Sequence, residues 1–281
     1  MKRIITVQDI SCVGKCSLTV ALPIISAAGV EAGVLPTAVL STHTAFSKFT
    51  FKDLTREITP IKNTLLELDI DFDAIYTGYL GSFLQLELVE DFIDSFKEKK
   101  DTFVLIDPVM ADNGKLYSGF IPEFAARMAK LAAKADLVIP NITEAAFMLG
   151  VPYNPEYDEE YIRDILKKLT ELGSPRAALT GISFEKDKIG VYYYDSTLDK
   201  YYYYANEKLP VSYHGTGDIY ASAALGAIMR GISIEDSLSI AVDFTLECMK
   251  KTEADPEHRF YGVNFESALG YYINRIEDKI G

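Results

Sequence analysis

Ala74-Ile75-Tyr76-Thr77-Gly78 and Phe103-Val104-Leu105-Ile106-Asp107-Pro108 bracket a helical stretch from Leu84 to Lys100. Short apolar runs that stop at Gly or Asp-Pro read as buried strands, and the long segment between them reads as a crossover helix. The alternation continues in both directions. Upstream, Ile4 to Val7 is a strand broken by Asp9-Ile10-Ser11-Cys12-Val13-Gly14-Lys15. Ser17 then caps a helix through Ala28 that Gly29 closes, and Val34 to Val39 is the next strand. Ser41 to Phe49 is a loop, and Asp53 to Leu68 is a helix despite Pro60. Downstream follow helix Ile121 to Lys134, strand Leu137 to Ile139, helices Glu144 to Leu149 and Asp158 to Leu172, and strand Ala177 to Leu179. Gly190 to Tyr194 and Tyr201 to Tyr204 flank a turn and predict an antiparallel hairpin; three helices, Asp218 to Met229, Ile234 to Lys251 and Asn264 to Lys279, end the chain. Strands alternating with helices predict an α/β fold with a mostly parallel central sheet covered on both faces. No linker, repeat or low-complexity tract divides residues 1–281, so one domain is expected.

With 281 residues, 48% hydrophobic and 25% charged, the chain has ordinary globular composition. A net charge of −13 argues against nucleic acid or an anionic membrane as partner. Cys12, Cys16 and Cys248 form no even framework, which predicts a reducing compartment. With no long apolar run, the expectation is a cytoplasmic protein.

The stretch richest in chemistry is His214-Gly215-Thr216-Gly217-Asp218, running into a helix of small residues. Glycines at a helix start let backbone N–H groups turn toward one point, where the helix dipole adds positive potential. That is an anion hole for a phosphate. Asp218 beside it suits a base that accepts a hydroxyl proton as the oxygen attacks phosphorus. The structural alternative is a Gly-rich helix start with Asp218 satisfying free amides.

In parallel sheets ligands sit at the carboxyl ends of the strands. There the early half carries Asp9, Ser11, Thr37, Ser41, His43 and Gly78-Tyr79-Leu80-Gly81-Ser82, a set suited to a flat polar ring. The later half carries Asp107, Asp112, Asn141, Glu144 and Thr180, suited to hydrated Mg²⁺ and phosphates. Taken singly, Asp107 could terminate a strand, Glu144 could supply first-turn charge, and His43 could be a satisfied loop residue. Gly14-Lys15 is not a Walker A ending, because Asp9 and Cys16 stand where Gly and Ser/Thr are required.

Gly215-Thr216-Gly217-Asp218, Asn141-x-x-Glu144 and Asp107-Pro108-Val109-Met110, in this chain, resemble the ribokinase superfamily. Gly78-Tyr79-Leu80-Gly81-Ser82, Ser41-Thr42-His43-Thr44 and Val7-Gln8-Asp9 resemble, more narrowly, its pyridoxal kinases. The resemblance implies a three-layer α/β/α domain without a separate lid and transfer of the γ-phosphoryl group of ATP to the 5′-hydroxymethyl of a B6 vitamer. By the same resemblance Asp218 is the base and Gly215, Thr216 and Gly217 hold the transferring group. Asp107, Asp112 and Glu144 organise Mg²⁺, Asn141, Glu144 and Thr180 serve the nucleotide, and Asp9, Thr37, His43 and Tyr79 line the vitamer pocket. A monovalent cation such as K⁺ and a homodimer are also implied. Asp9 stands where that family commonly has Ser, and Thr42 where it has Asn, so Asp9 is expected to read the pyridine nitrogen. The rivals are a hydroxymethylpyrimidine kinase of thiamine synthesis, whose usual Gly-Ser-Asp-Pro opening is absent, and a non-catalytic regulator binding nucleotide or vitamer.

Overall fold

The computed structural model describes residues 1–281. The elements in its first half are β1 (Arg3–Val13), α1 (Leu18–Ala27), β2 (Glu31–Thr42), β3 (Phe51–Asp53), α2 (Ile58–Glu67), β4 (Ala74–Thr77), α3 (Phe83–Lys99) and β5 (Phe103–Ile106). A small hairpin, β6 (Ala111–Asp112) and β7 (Lys115–Leu116), leads to α4 (Pro122–Ala132), β8 (Leu137–Val138), α5 (Ile142–Leu149) and α6 (Glu159–Glu171). The remainder is β9 (Arg176–Ile182), β10 (Lys188–Asp195), β11 (Lys200–Glu207), α7 (Thr216–Met229), α8 (Ile234–Glu253) and α9 (Leu269–Ile280).

One nine-stranded sheet runs β11-β10-β9-β8-β5-β4-β1-β2-β3. Its centre, from β9 to β2, is parallel, while β10, β11 and β3 join by antiparallel pairing. One apolar cluster packs α2 to α6 on one face, and a second packs α1 and α7 to α9 on the other. The result is the three-layer α/β/α architecture. Helix α7 lies close in because its inward residues are small: a Cβ on Gly226 would stand 2.5 Å from the Tyr272 hydroxyl and 2.9 Å from Ala28 Cβ. The tyrosine hairpin is sheet-face packing, with Tyr202 and Tyr204 bonding to Ser239 and Asp243 of α8.

Three expectations are corrected. Strand β1 does not break at Asp9 but pairs with β2 as far as Val13, so its polar residues become the lip of the sheet. Between Gln8 and Ile10 two steps of β1 match three of β2, from Pro36 to Val39; Pro36 lacks an N–H and the extra residue forms a bulge. Asp53 does not begin a helix. Its carboxylate turns back on the Thr55 N–H at 2.9 Å, making β3 and a 3₁₀ turn before α2, and Pro60 then falls harmlessly in the first turn. Ser17 precedes α1 without capping it, because its hydroxyl is engaged elsewhere.

Candidate active site

Helix α7 begins two residues earlier than the pattern suggests, at Thr216, so Gly217 and Asp218 lie in its first turn. Gly215 precedes it at φ 81°, where an added Cβ would stand 2.1 Å from the Lys15 carbonyl oxygen; only glycine fits. Gly217 is exposed with open space in front of it, and the amides of this first turn have no partner within the helix. Asp218 is partly accessible beside them, its Oδ2 accepting the Ser17 N–H at 3.0 Å. Burial pushes its carboxyl up to about 6, against the pull of the Ser17 donor, with the nearby Asp9 charge adding to the rise.

Asp9, at the lip of β1, is buried and accepts the Ser17 hydroxyl at 2.7 Å. Burial raises its carboxyl above the ordinary range, opposed by the hydroxyls of Ser17 and Ser11. Ser17 therefore serves both carboxylates, its amide to Asp218 and its hydroxyl to Asp9, and it does so at φ 50°, a conformation that side chains seldom adopt. Tyr79 is half-buried after β4, and burial together with the Asp9 charge pushes its phenol up. Thr37 is buried in the β2 bulge and presents its carbonyl to Leu54 N–H at 3.0 Å and to the Gln85 amide at 3.2 Å. Both ring nitrogens of His43 are engaged by backbone. Nδ1 accepts the Ala45 N–H at 3.1 Å, so Nε2 carries the proton and donates to the Tyr261 carbonyl at 3.0 Å. Its ring, not its nitrogens, remains to face a ligand.

On the other side, Asn141 and Thr180 sit abreast at the tips of β8 and β9 through an isolated parallel bridge. The Asn141-x-x-Glu144 motif is a capping box. Asn141 Oδ1 accepts from Thr143 and Glu144 N–H, and Glu144 Oε2 accepts from Asn141 N–H at 2.9 Å. Glu144 Oε1 also takes the Met110 N–H at 3.1 Å, fastening the loop after β5 to α5. Asp107 is buried with no protein donor on its carboxylate. Burial, Glu144 and Asp218 all push it up, and burial pushes Glu144 to about 8. No three acidic, His or Cys groups converge to cage a metal. Asp112 is exposed, and its oxygens are taken by Asn113 in the hairpin. What remains is Asp107 with Glu144 beside it. That donor set fits a Mg²⁺ that keeps water and phosphate oxygens as its other ligands, because the Asp107 carboxylate has no protein donor while Glu144 is held beside it by backbone N–H groups.

A model of the phosphomethylpyrimidine kinase family matches residues 22–264. The chain belongs to that family. A candidate phosphomethylpyrimidine kinase of Bacteroides thetaiotaomicron, solved with pyridoxal, is 36% identical and superposes with a TM-score of 0.89 over 96% of this chain and 95% of that one. The pyridoxal kinase of Lactobacillus plantarum is 28% identical, with a TM-score of 0.90 over 99% of both chains. The pyridoxine kinase of Bacillus subtilis is 28% identical over 208 residues, 71% of each chain.

In this kinase, several residues that join the site lie outside the strand-tip motifs. Ser17 has the appearance of an ordinary helix cap. Cys16 stands beside both Asp9 and Asp218, where burial and their charge push its thiol up to about 12. Tyr261 accepts from His43 and from Lys15 N–H at 3.3 Å, while the Lys15 ammonium reaches Asn264 at 3.0 Å and Glu266 at 2.8 Å. These contacts bring the C-terminal segment over the acceptor loop. The glycines at 14 and 262 were the available signal: a Cβ on either would come within 2.4 Å of His43 or Lys15.

Proposed function

We propose that this kinase transfers the γ-phosphoryl group of ATP to the 5′-hydroxymethyl group of pyridoxal, pyridoxine or pyridoxamine. The observation that carries the reading is Asp218. It is fixed by the Ser17 amide, its carboxyl is raised to about 6 by burial, and it lies within the first turn of α7 beside Gly217, which has open space in front of it. A phosphoryl group on the first-turn amides would lie next to the carboxylate that takes the attacking alcohol's proton. The choice of a B6 vitamer is supported by the neighbour solved with pyridoxal and by relatives named as pyridoxal and pyridoxine kinases.

In this reading Asp218 receives the proton late, as the oxygen becomes acidic on bonding to phosphorus. Gly215, Thr216 and Gly217 supply donors to the transferring oxygens. Asp9 faces the ring nitrogen, Tyr79 covers the ring, and Thr37 and the His43 ring shape the pocket wall. Asn141, Glu144 and Thr180 border the nucleotide, with Asp107 and Glu144 toward Mg²⁺, which neutralises phosphate charge when bound. Asp112 lies at the rim rather than in that pair. A monovalent cation, a homodimer and a single 1–281 catalytic domain in the cytoplasm belong to the same proposal.

The family's own description favours a second reading, with hydroxymethylpyrimidine or its phosphate as acceptor. A coupled assay of ADP release across the three B6 vitamers, hydroxymethylpyrimidine and ribose separates the two. Turnover on a vitamer at least about tenfold above hydroxymethylpyrimidine in kcat/KM is expected. A reversed ratio transfers the assignment to the pyrimidine, and no turnover on any alcohol leaves the binding-only regulator.

A further inference from the structure

Beneath the site, between the sheet and α7, lies a group of polar side chains that the chemistry above does not use. Thr6 and Tyr76 are direct partners across β1 and β4, and Gln8 packs over Gly78 one step further along the same face, its Cδ 2.9 Å from where a Gly78 Cβ would be. Ser222 comes down on them from α7, one turn after Asp218 and so on the same stripe of the helix. All four residues are 0% exposed. The Thr6 and Ser222 hydroxyls, the Tyr76 phenol and both ends of the Gln8 amide find no hydrogen-bond partner in the protein.

So many unpartnered buried polar atoms in one place would consume much of a fold's marginal stability, whereas apolar residues of the same shape would not. Burial and the charges of Asp107 and Asp218 push the Tyr76 phenol up, and the neighbouring Ser222 and Gln8 oppose the rise. Buried donors and acceptors gathered without protein partners are the groups that an internal water satisfies.

We propose that Gln8, Tyr76 and Ser222, bridged by internal water, form a buried hydrogen-bonded relay that holds the first turn of α7, and with it Asp218, in register against β1 and β4. The three are positioning residues for phosphoryl transfer; none reaches substrate. The role in turnover rests on the kinase reading, whereas the water itself does not.

The test uses the full chain with Tyr76→Phe and Ser222→Ala, each removing one hydroxyl without adding bulk. Each should lower kcat about 3- to 10-fold, the size expected for one net hydrogen bond, with KM for ATP and for the acceptor changed less than twofold. Each should also lower Tm, since a water-bridged partner is lost. A high-resolution crystal structure of the wild type should show ordered water within about 3.2 Å of two or more of these groups, and in Tyr76→Phe the Asp218 carboxylate should shift from the Ser17 amide. Unchanged kcat, a raised Tm, or an unmoved Asp218 over a dry cluster would overturn the relay. A wild type inactive on every acceptor would instead defeat the kinase reading, leaving the Tm and crystallographic results to decide the relay.

Discussion

His43, after β2, and Asp107, after β5, are equally buried at 7% exposed, yet they stand in opposite conditions. His43 has both nitrogens bonded to backbone, and its neighbours Asp9 and Thr37 are likewise held, by Ser17 and Gln85. Asp107 has no donor, and the nearest charges, Glu144 and Asp218, are of its own sign. The acceptor half of the site is thus fixed by the fold before any ligand arrives, while the nucleotide half holds a carboxyl group that only a proton or a ligand can neutralise. Preorganised sites lose specificity when a group is removed; charge-frustrated sites gain stability when one is neutralised.

The largest effect is expected where the halves meet. Asp218→Asn keeps the shape and the Ser17 contact but removes the proton acceptor, so kcat should fall about 10²- to 10⁴-fold while KM for ATP stays within a few-fold. Steady-state kinetics decide it, and full turnover would remove Asp218 from the base role. Gly215→Ala should come next. Its φ of 81° and the 2.1 Å approach to the Lys15 carbonyl force the turn to move, costing about 1–3 kcal/mol in strain with a parallel loss of turnover. A variant with wild-type Tm and kcat would mean that the turn has slack, and that the fold does not preorganise it.

The contrast also marks what could be read from the chain alone. The mostly parallel sheet and the strand-tip residues were legible, because buried strands show as apolar runs and their polar ends follow immediately. The same habit hid the rest. Asp9, Ser11 and Cys12 look like a break in β1 because the lip of a strand facing a cleft is polar even while its backbone stays paired to β2. Phe51 to Asp53 is too short for any periodicity, and the Asx turn at Asp53 depends on a side chain choosing its own backbone over a helix. Ser17 looked like a cap because cap and carboxylate clamp use the same hydroxyl. The His43–Tyr261 and Lys15–Glu266 contacts join segments more than two hundred residues apart and leave no local pattern. Asp107 follows β5 directly and Glu144 lies in the first turn of α5, but that only Asp107 lacks a donor is visible only once the hydrogen bonds are counted.

Asp9→Asn sharpens the acceptor side. It retains the Ser17 contact and removes charge facing the ring, so KM for the vitamer should rise about tenfold with KM for ATP unchanged. Unchanged vitamer kinetics would deny Asp9 its role and leave the pocket to shape alone. The pH profile then tests how burial tunes the base. Asp218 must be ionised to accept a proton, and its carboxyl is raised to about 6, so kcat/KM should fall with unit slope below that pH. One unit lower, only about a tenth of the carboxyl is ionised, giving about a tenfold loss.

The smallest effect concerns stability without ligand. Burial and like charge hold Asp107 and Glu144 above their ordinary values, Glu144 to about 8, so between about pH 4.5 and 8 the folded chain binds more protons than the unfolded one. Stability of the metal-free protein should therefore decline as pH rises through that window, with Tm falling on the order of 2–4 °C for each kcal/mol lost. Asp107→Asn removes one of the opposed charges at a position where no donor is left stranded, and should flatten the decline. Mg²⁺ with nucleotide should flatten it in the wild type and do little in the variant, because both act on the same uncompensated charge. Differential scanning fluorimetry across pH, with and without Mg²⁺, reads all four cases. If the metal-free wild type showed no decline, the two carboxylates would already be balanced within the fold, and the nucleotide half would be as complete as the acceptor half.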